Sequence, residues 1–221
     1  MDIKQLFKFL NDLSNNNNRE WFTKNKDRYE TARNEFIVFL DELIAEISGF
    51  DSSLINITGK NCAFRIYRDV RFSHDKSPYK THFGAMIMPS KSKTEIHSTA
   101  GYYVHLEPGK SMLAGGAYMP PGEWLKSIRK EIAFNSVEFR QIVENKNFKK
   151  YFGTVEGEKL QRPPAGFDTN HPEIDLLKHK SFLAVHYLSD KDIIIKGNVK
   201  YFSEVFKAMQ PFNKFLNEAG I

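Results

Sequence analysis

A single cysteine, Cys62, stands among 221 residues. No intrachain disulfide is therefore available, and no cysteine-built zinc knuckle. One cysteine fits a reducing compartment, where it serves as a small buried hydrophobe. No apolar run approaches the length of a membrane span, and Met1-Asp2-Ile3-Lys4 does not begin a signal-peptide pattern. These absences predict a cytoplasmic protein with no membrane partner. Pro/Gly/Ser-rich linkers, internal repeats and low-complexity tracts are also missing, so one domain is expected over residues 1-221. A Gly-rich nucleotide loop and a nucleophile elbow are absent too, so spacing alone names no reaction and no cofactor. Pro108-Gly109-Lys110-Ser111 looks like the end of a phosphate-binding loop. Val104 holds the position of the required first glycine, however, and a strand pattern follows, which excludes it.

What is present is core material and a mild positive charge. Hydrophobic residues make up 41% of the chain and aromatics 14%, with 19 phenylalanines, which rules out global disorder. Lys and Arg total 32 against 27 Asp and Glu, a formal +5 with a pI near 9.1, which favours anionic partners without demanding them.

Hydrophobic spacing orders the chain. Leu6, Phe7, Leu10 and Leu13 behind Asp2 predict an amphipathic helix over residues 3-13. Asn18 caps a second helical region that breaks near Asn25 and keeps its apolar stripe as far as Gly49. Trp21 and Phe22 belong to its core side, although aromatics mixed with Arg19, Lys24 and Lys26 also suit stacking on bases. From Cys62 to Tyr67 the pattern turns extended. Phe83, Ala85 and Ile87 alternate up to Pro89, a polar loop runs from Ser90 to Thr99, and Tyr102, Val104 and Leu106 alternate up to Pro108. With a third run from Ser111 to Met119, these short spacings predict an antiparallel meander. Gly115-Gly116 marks a bulge or a close backbone approach. Two helices divided at Asn135-Ser136 cover residues 124-144. A Pro-containing crossing over residues 160-173 leads to a short helix at Ile174, Leu176 and Leu177. A strand from Phe182 to Leu188 rejoins the sheet, and a closing helix is kinked or divided by Pro211. The fold class is α+β, a central, mainly antiparallel sheet covered by N- and C-terminal helices.

The densest chemistry lies between Arg65 and Lys80, where five Lys or Arg face two Asp. Guanidinium forks suit phosphate or carboxylate, and lysines add point charges. Arg65, Arg68, Arg71, Lys76 and Lys80 with Asp69, Asp75 and Tyr79 thus form a candidate site for an anionic small molecule or nucleic acid. The alternatives are an enzyme acting on a phosphorylated or otherwise anionic substrate, and an internal ion-pair network in which the aspartates pin the arginines. Exposed pairs contribute only about 0 to 1 kcal/mol each, which explains such density poorly as surface stabilisation. Asp69 between two arginines should have a depressed pKa and make a poor base. His74, His82, Tyr67 and Tyr79 are therefore the candidate proton-transfer groups. Tyr103, His105 and Glu107 share one face of their strand. His105 and Glu107 supply two of the donors a metal needs, but no third stands at diagnostic spacing, so no metal is assigned.

Arg65, Arg68, Asp69, Arg71, Phe72, Asp75, Lys76 and Tyr79 together meet the pattern R-x-x-R-D-x-R-F-x-x-[D/N]-K-x-x-Y. On that pattern the chain resembles an uncharacterised bacterial family, a domain of unknown function. Asn18-Arg19-Glu20-Trp21-Phe22, Gly101-Tyr102-Tyr103, Glu107-Pro108-Gly109 and Pro164-x-Gly166-Phe167 extend the likeness over nearly the whole chain. The resemblance names relatives and carries no activity, substrate or cofactor with it. Ala165 departs from the basic residue usual there, so that loop is given no ligand role.

Overall fold

The computed structural model describes residues 1–89 and 95–219. Two capped helices open the chain. The Asp2 carboxylate accepts from the Gln5 amide at the start of α1 (Ile3–Asn15), and Asn18 accepts from the Trp21 amide ahead of α2 (Arg19–Lys24). After Asn25 comes α3 (Lys26–Ser48), closed at Gly49. The helical spacing, the break and both caps stand where the sequence puts them.

The segment after α3 departs from expectation. Gly59–Cys62 is a single helical turn, α4, and the stretch from Cys62 to Tyr67 makes only isolated bridges, Ala63 to Ala85 and Tyr67 to Tyr79, in place of the expected strand. The cause lies in α3. The Asp41 carboxylate accepts from the Gly59 amide at 2.6 Å, and a side chain at Gly59 would come within 2.5 Å of the Ile37 carbonyl oxygen. Close approach of two backbones, which glycine permits, takes precedence here over the extended preference of a short apolar run.

Four strands follow: β1 (Phe83–Ile87), β2 (Gly101–Leu106), β3 (Ser111–Ala117) and, much later, β4 (Phe182–Leu188). They pair antiparallel in the order β1-β2-β3-β4, the expected meander. The loop expected between β1 and β2 falls in part on residues 90–94, which lie outside the described residues. Between β3 and β4 run α5 (Gly122–Phe134), α6 (Ser136–Val143), α7 (Lys146–Phe152) and α8 (Ile174–Leu177). After β4 come α9 (Asp190–Lys196) and α10 (Val199–Glu218). Pro211 does not divide α10; its exposed position tolerates the missing amide and the helix continues through it.

One face of the sheet meets α3 and α10. Phe83 packs against Phe36, and Tyr102 lies 5.1 Å from Phe206 between ring centroids. Burying each such side chain contributes about 1.5–3 kcal/mol. The Tyr102 hydroxyl reaches Asp51 at 2.7 Å, so its polar tip is satisfied inside the core.

His179, just ahead of β4, is 2% exposed, and burial pushes its pKa down to about 4. In the unfolded chain it takes up a proton near its ordinary value of about 6.5, whereas in the folded chain it does so only near 4. Its contribution is therefore complete above that ordinary value and lost as pH falls toward 4. We expect His179→Asn to flatten the pH dependence of stability across this window by about 3 kcal/mol, read from urea denaturation at neutral and acid pH.

Candidate functional site

The basic segment folds as a hairpin-like excursion in front of β1. The Arg68 amide donates to the Pro78 carbonyl at 2.9 Å and the Lys80 amide to the Ile66 carbonyl at 2.8 Å. Asn17 clamps its base, donating to the Tyr79 carbonyl at 2.9 Å and accepting from the Tyr79 amide at 3.1 Å. Tyr79 itself is buried and stacks on Phe22 with centroids 3.9 Å apart. Tyr67 is half exposed beside it, and His74 sits exposed near the tip.

Within the hairpin the charges are largely consumed locally. Arg71 grips Asp69 through both ends of its fork, Nε to Oδ1 at 3.0 Å and Nη2 to Oδ2 at 2.7 Å. Arg68 donates to Asp75, to the Ser77 carbonyl and to the Ser73 hydroxyl, while Lys76 donates to the Val70 carbonyl at 3.0 Å. Hydrogen bonds from Arg71 hold the Asp69 pKa down at about 2. Asp75 is likewise at about 2, chiefly through the Ser77 hydroxyl and amide and then Arg68. Neither is a base at neutral pH. Arg65 lies outside these pairs and lines a narrow groove with Lys80, His82 and Phe64.

A second cluster, legible only in part from the sequence, lies on the sheet face turned away from α10. The register sets Gly84 opposite His105 and Phe83 opposite Leu106, which brings His82 beside Glu107. Five side chains then meet. The Tyr103 hydroxyl and His105 Nδ1 are 2.8 Å apart, and His105 Nε2 and Glu107 Oε2 are 3.0 Å apart. The Thr81 hydroxyl donates to Glu107 Oε1 at 2.8 Å. The His82 ring stacks on His105 with centroids 4.3 Å apart. One donor atom from each of His82, His105 and Glu107 lies within 4.8 Å of the other two. Gly84 makes room, since a side chain there would come within 3.2 Å of the Tyr103 hydroxyl and 3.3 Å of Phe64.

Burial, with His105 alongside, lowers the His82 pKa to about 4, and burial together with the Glu107 charge lifts Tyr103 to about 12. Burial works against the Glu107 carboxylate, yet hydrogen bonds from His105 and Thr81 keep its pKa below the usual value. At neutral pH the cluster thus presents a neutral His82 imidazole, an ionised Glu107 and a protonated Tyr103.

Beside this cluster opens a cavity of about 480 Å³, walled by Phe64, Tyr103 and Tyr118 and floored by Met86, Met112, Leu183 and Val185. Of the four proton-transfer candidates, His82 alone stands in the cluster; His74, Tyr67 and Tyr79 belong to the hairpin. Tyr103, His105 and Glu107 share a strand face as the alternation requires. Their meeting with His82 depends on a pairing register that crosses a long connection. The signal for it in the sequence is the placement of His82 and Gly84 on the face of β1 opposite Phe83, Ala85 and Ile87.

The molecule is thus an α+β protein whose meander carries helices on one face and a cavity with a Tyr-His-Glu-His cluster on the other. It belongs to the conserved hypothetical protein family DUF2461, whose profile matches residues 5–215. No curated protein and no solved structure matches it. Among the described residues no helix is long and apolar enough to cross a membrane.

Proposed function

We propose that this protein binds a small amphipathic molecule, with its apolar or aromatic body in the cavity and an anionic group directed toward Arg65 and Lys80. The observation that carries this reading is the chemistry of the cavity floor. A sheet face left uncovered by helices normally alternates to polar residues. Here Met86, Met112, Ala114, Leu183 and Val185 occupy it, an apolar, concave surface of the kind that takes up organic ligands.

The hairpin contributes its root. Phe64 forms a wall of the cavity, the Lys80 ammonium lies 5.2 Å from the Phe64 ring centroid, and Arg65 shares the groove beyond. The paired tip, Arg68 to Lys76, acts as the frame that holds this root in place. The forks of Arg68 and Arg71 at the tip are engaged by their own aspartates, whereas Arg65 at the root lies outside those pairs, next to the cavity wall residue Phe64.

Anilinonaphthalene sulfonate, a fluorescent aromatic anion, is the probe. We expect one saturable equivalent to bind with enhanced emission. Ala114→Trp, which fills the cavity floor, should abolish that binding while leaving the far-ultraviolet circular dichroism unchanged. Arg65→Ala combined with Lys80→Ala should weaken it by about tenfold. Undiminished binding to a folded Ala114→Trp protein would overturn the cavity as the site.

A further inference from the structure

We propose that His82, His105 and Glu107 form a binding site for a divalent first-row transition metal ion. Two imidazoles and one carboxylate are a donor set suited to zinc or iron(II), and three protein donors leave positions for water or a bound molecule. The donor atoms are already within 4.8 Å of one another: His105 stands in β2, and His82 and Glu107 adjoin the paired end of β1 and β2 where Phe83 meets Leu106.

The surroundings fix which atom of each residue faces inward. Tyr103 engages His105 Nδ1, which leaves Nε2 as the coordinating atom. Thr81 engages Glu107 Oε1, which leaves Oε2, the oxygen already facing His105 Nε2. Outer hydroxyls holding the far side of each ligand are the arrangement that orients metal ligands in general. A hydrogen-bonded chain of Tyr103, His105 and Glu107 has a structural use of its own, but that use does not account for His82. That ring is half-buried, makes no hydrogen bond to any described residue, and stacks against His105 where a third donor is needed.

This site goes beyond the cavity reading and does not depend on the cavity being filled. Chelator-treated protein is titrated with Co²⁺, followed by its visible absorption, and separately with Zn²⁺, followed by the midpoint of thermal unfolding. We expect one equivalent of each to bind and the Zn²⁺ form to melt at higher temperature. His82→Ala and Glu107→Gln should each abolish the Co²⁺ spectrum. Tyr103→Phe, which retains the ring and the fold, should lower metal affinity by about tenfold to a hundredfold by releasing the orientation of His105. His74→Ala, on the exposed hairpin, should leave it unchanged. Absence of saturable binding by the folded wild-type protein, or binding unaffected by His82→Ala together with Glu107→Gln, would overturn the metal site. Ala114→Trp separates the two proposals, since it should lose the aromatic probe and keep the metal.

Discussion

A Gly116→Ala variant is expected to lose at least about 3 kcal/mol of folding stability, enough to leave much of the protein unfolded at moderate temperature. Gly116 sits in β3 between Gly101 and Leu183 with φ at +112°, a conformation that disfavours a side chain. The cost is not confined to the backbone. A Cβ there would stand 2.0 Å from the Phe182 carbonyl oxygen and 3.0 Å from the Phe212 ring, so β3 and β4 would have to part or α10 would have to shift. Gly109 isolates the backbone term. Its φ is +75°, but nothing lies within 4 Å of the point a Cβ would occupy, so Gly109→Ala should cost only about 1 kcal/mol of backbone strain. Urea denaturation of both variants tests this. Equal losses would mean that the contact with Phe182 carries no weight.

The second large effect is expected at Asn213. This residue lies inside the apolar stripe of α10, 3% exposed, and donates to the Gly101 carbonyl at 3.0 Å. One turn on, Asn217 accepts from the Ala100 amide at 2.7 Å and donates to the Ala100 carbonyl at 3.1 Å. Together the two side-chain amides satisfy the backbone where β2 begins. Asn213→Leu keeps the volume and the helix but strands a buried carbonyl, which should cost about 2 to 3 kcal/mol. Since β2 carries Tyr103 and His105 and leads directly into Glu107, hydrogen exchange at the Gly101 to Tyr103 amides should accelerate in this variant. An Asn213→Leu protein as stable as wild type, with unchanged exchange, would show that the clamp is dispensable.

Much of the fold is legible in local chemistry. Asp2 and Asn18 begin helices because a short side-chain oxygen reaches a free amide two or three residues on, whatever the rest of the chain does. The four strands follow from alternation at Phe83, Tyr102, Leu113 and Phe182, and the short connection from β2 to β3 makes their antiparallel pairing the simplest one. Gly115-Gly116 is readable as a close approach, and the structure shows what approaches: a side chain on Gly115 would meet Met209 at 2.3 Å, where α10 crosses the sheet. Cys62 to Tyr67 misleads, because a short aromatic run is compatible with a strand and with a packed loop. Contact with α3 through Asp41 and Gly59 selects the latter.

The candidate site divides along the same line. The hairpin motif is visible from its density of charge, since Arg68, Asp69, Arg71 and Asp75 lie close enough in sequence to pair with one another. Local spacing therefore announces the cluster, and it also supplies the partners that occupy most of it.

By itself, then, the sequence determined the capped N-terminal helices, the four alternating strands and the α+β class, all consequences of neighbours a few positions apart, while the pairing of arginines with aspartates within residues 65 to 80 was one of three readings it left open. Only the tertiary structure decided which strand positions lie opposite one another. Register across the connection from β1 to β2 set His82 beside His105 and Glu107, and the placement of Phe64 and Tyr118 turned an apolar sheet face into a cavity. A shift of one residue in that pairing would carry His82 away from its neighbours without altering a single local propensity.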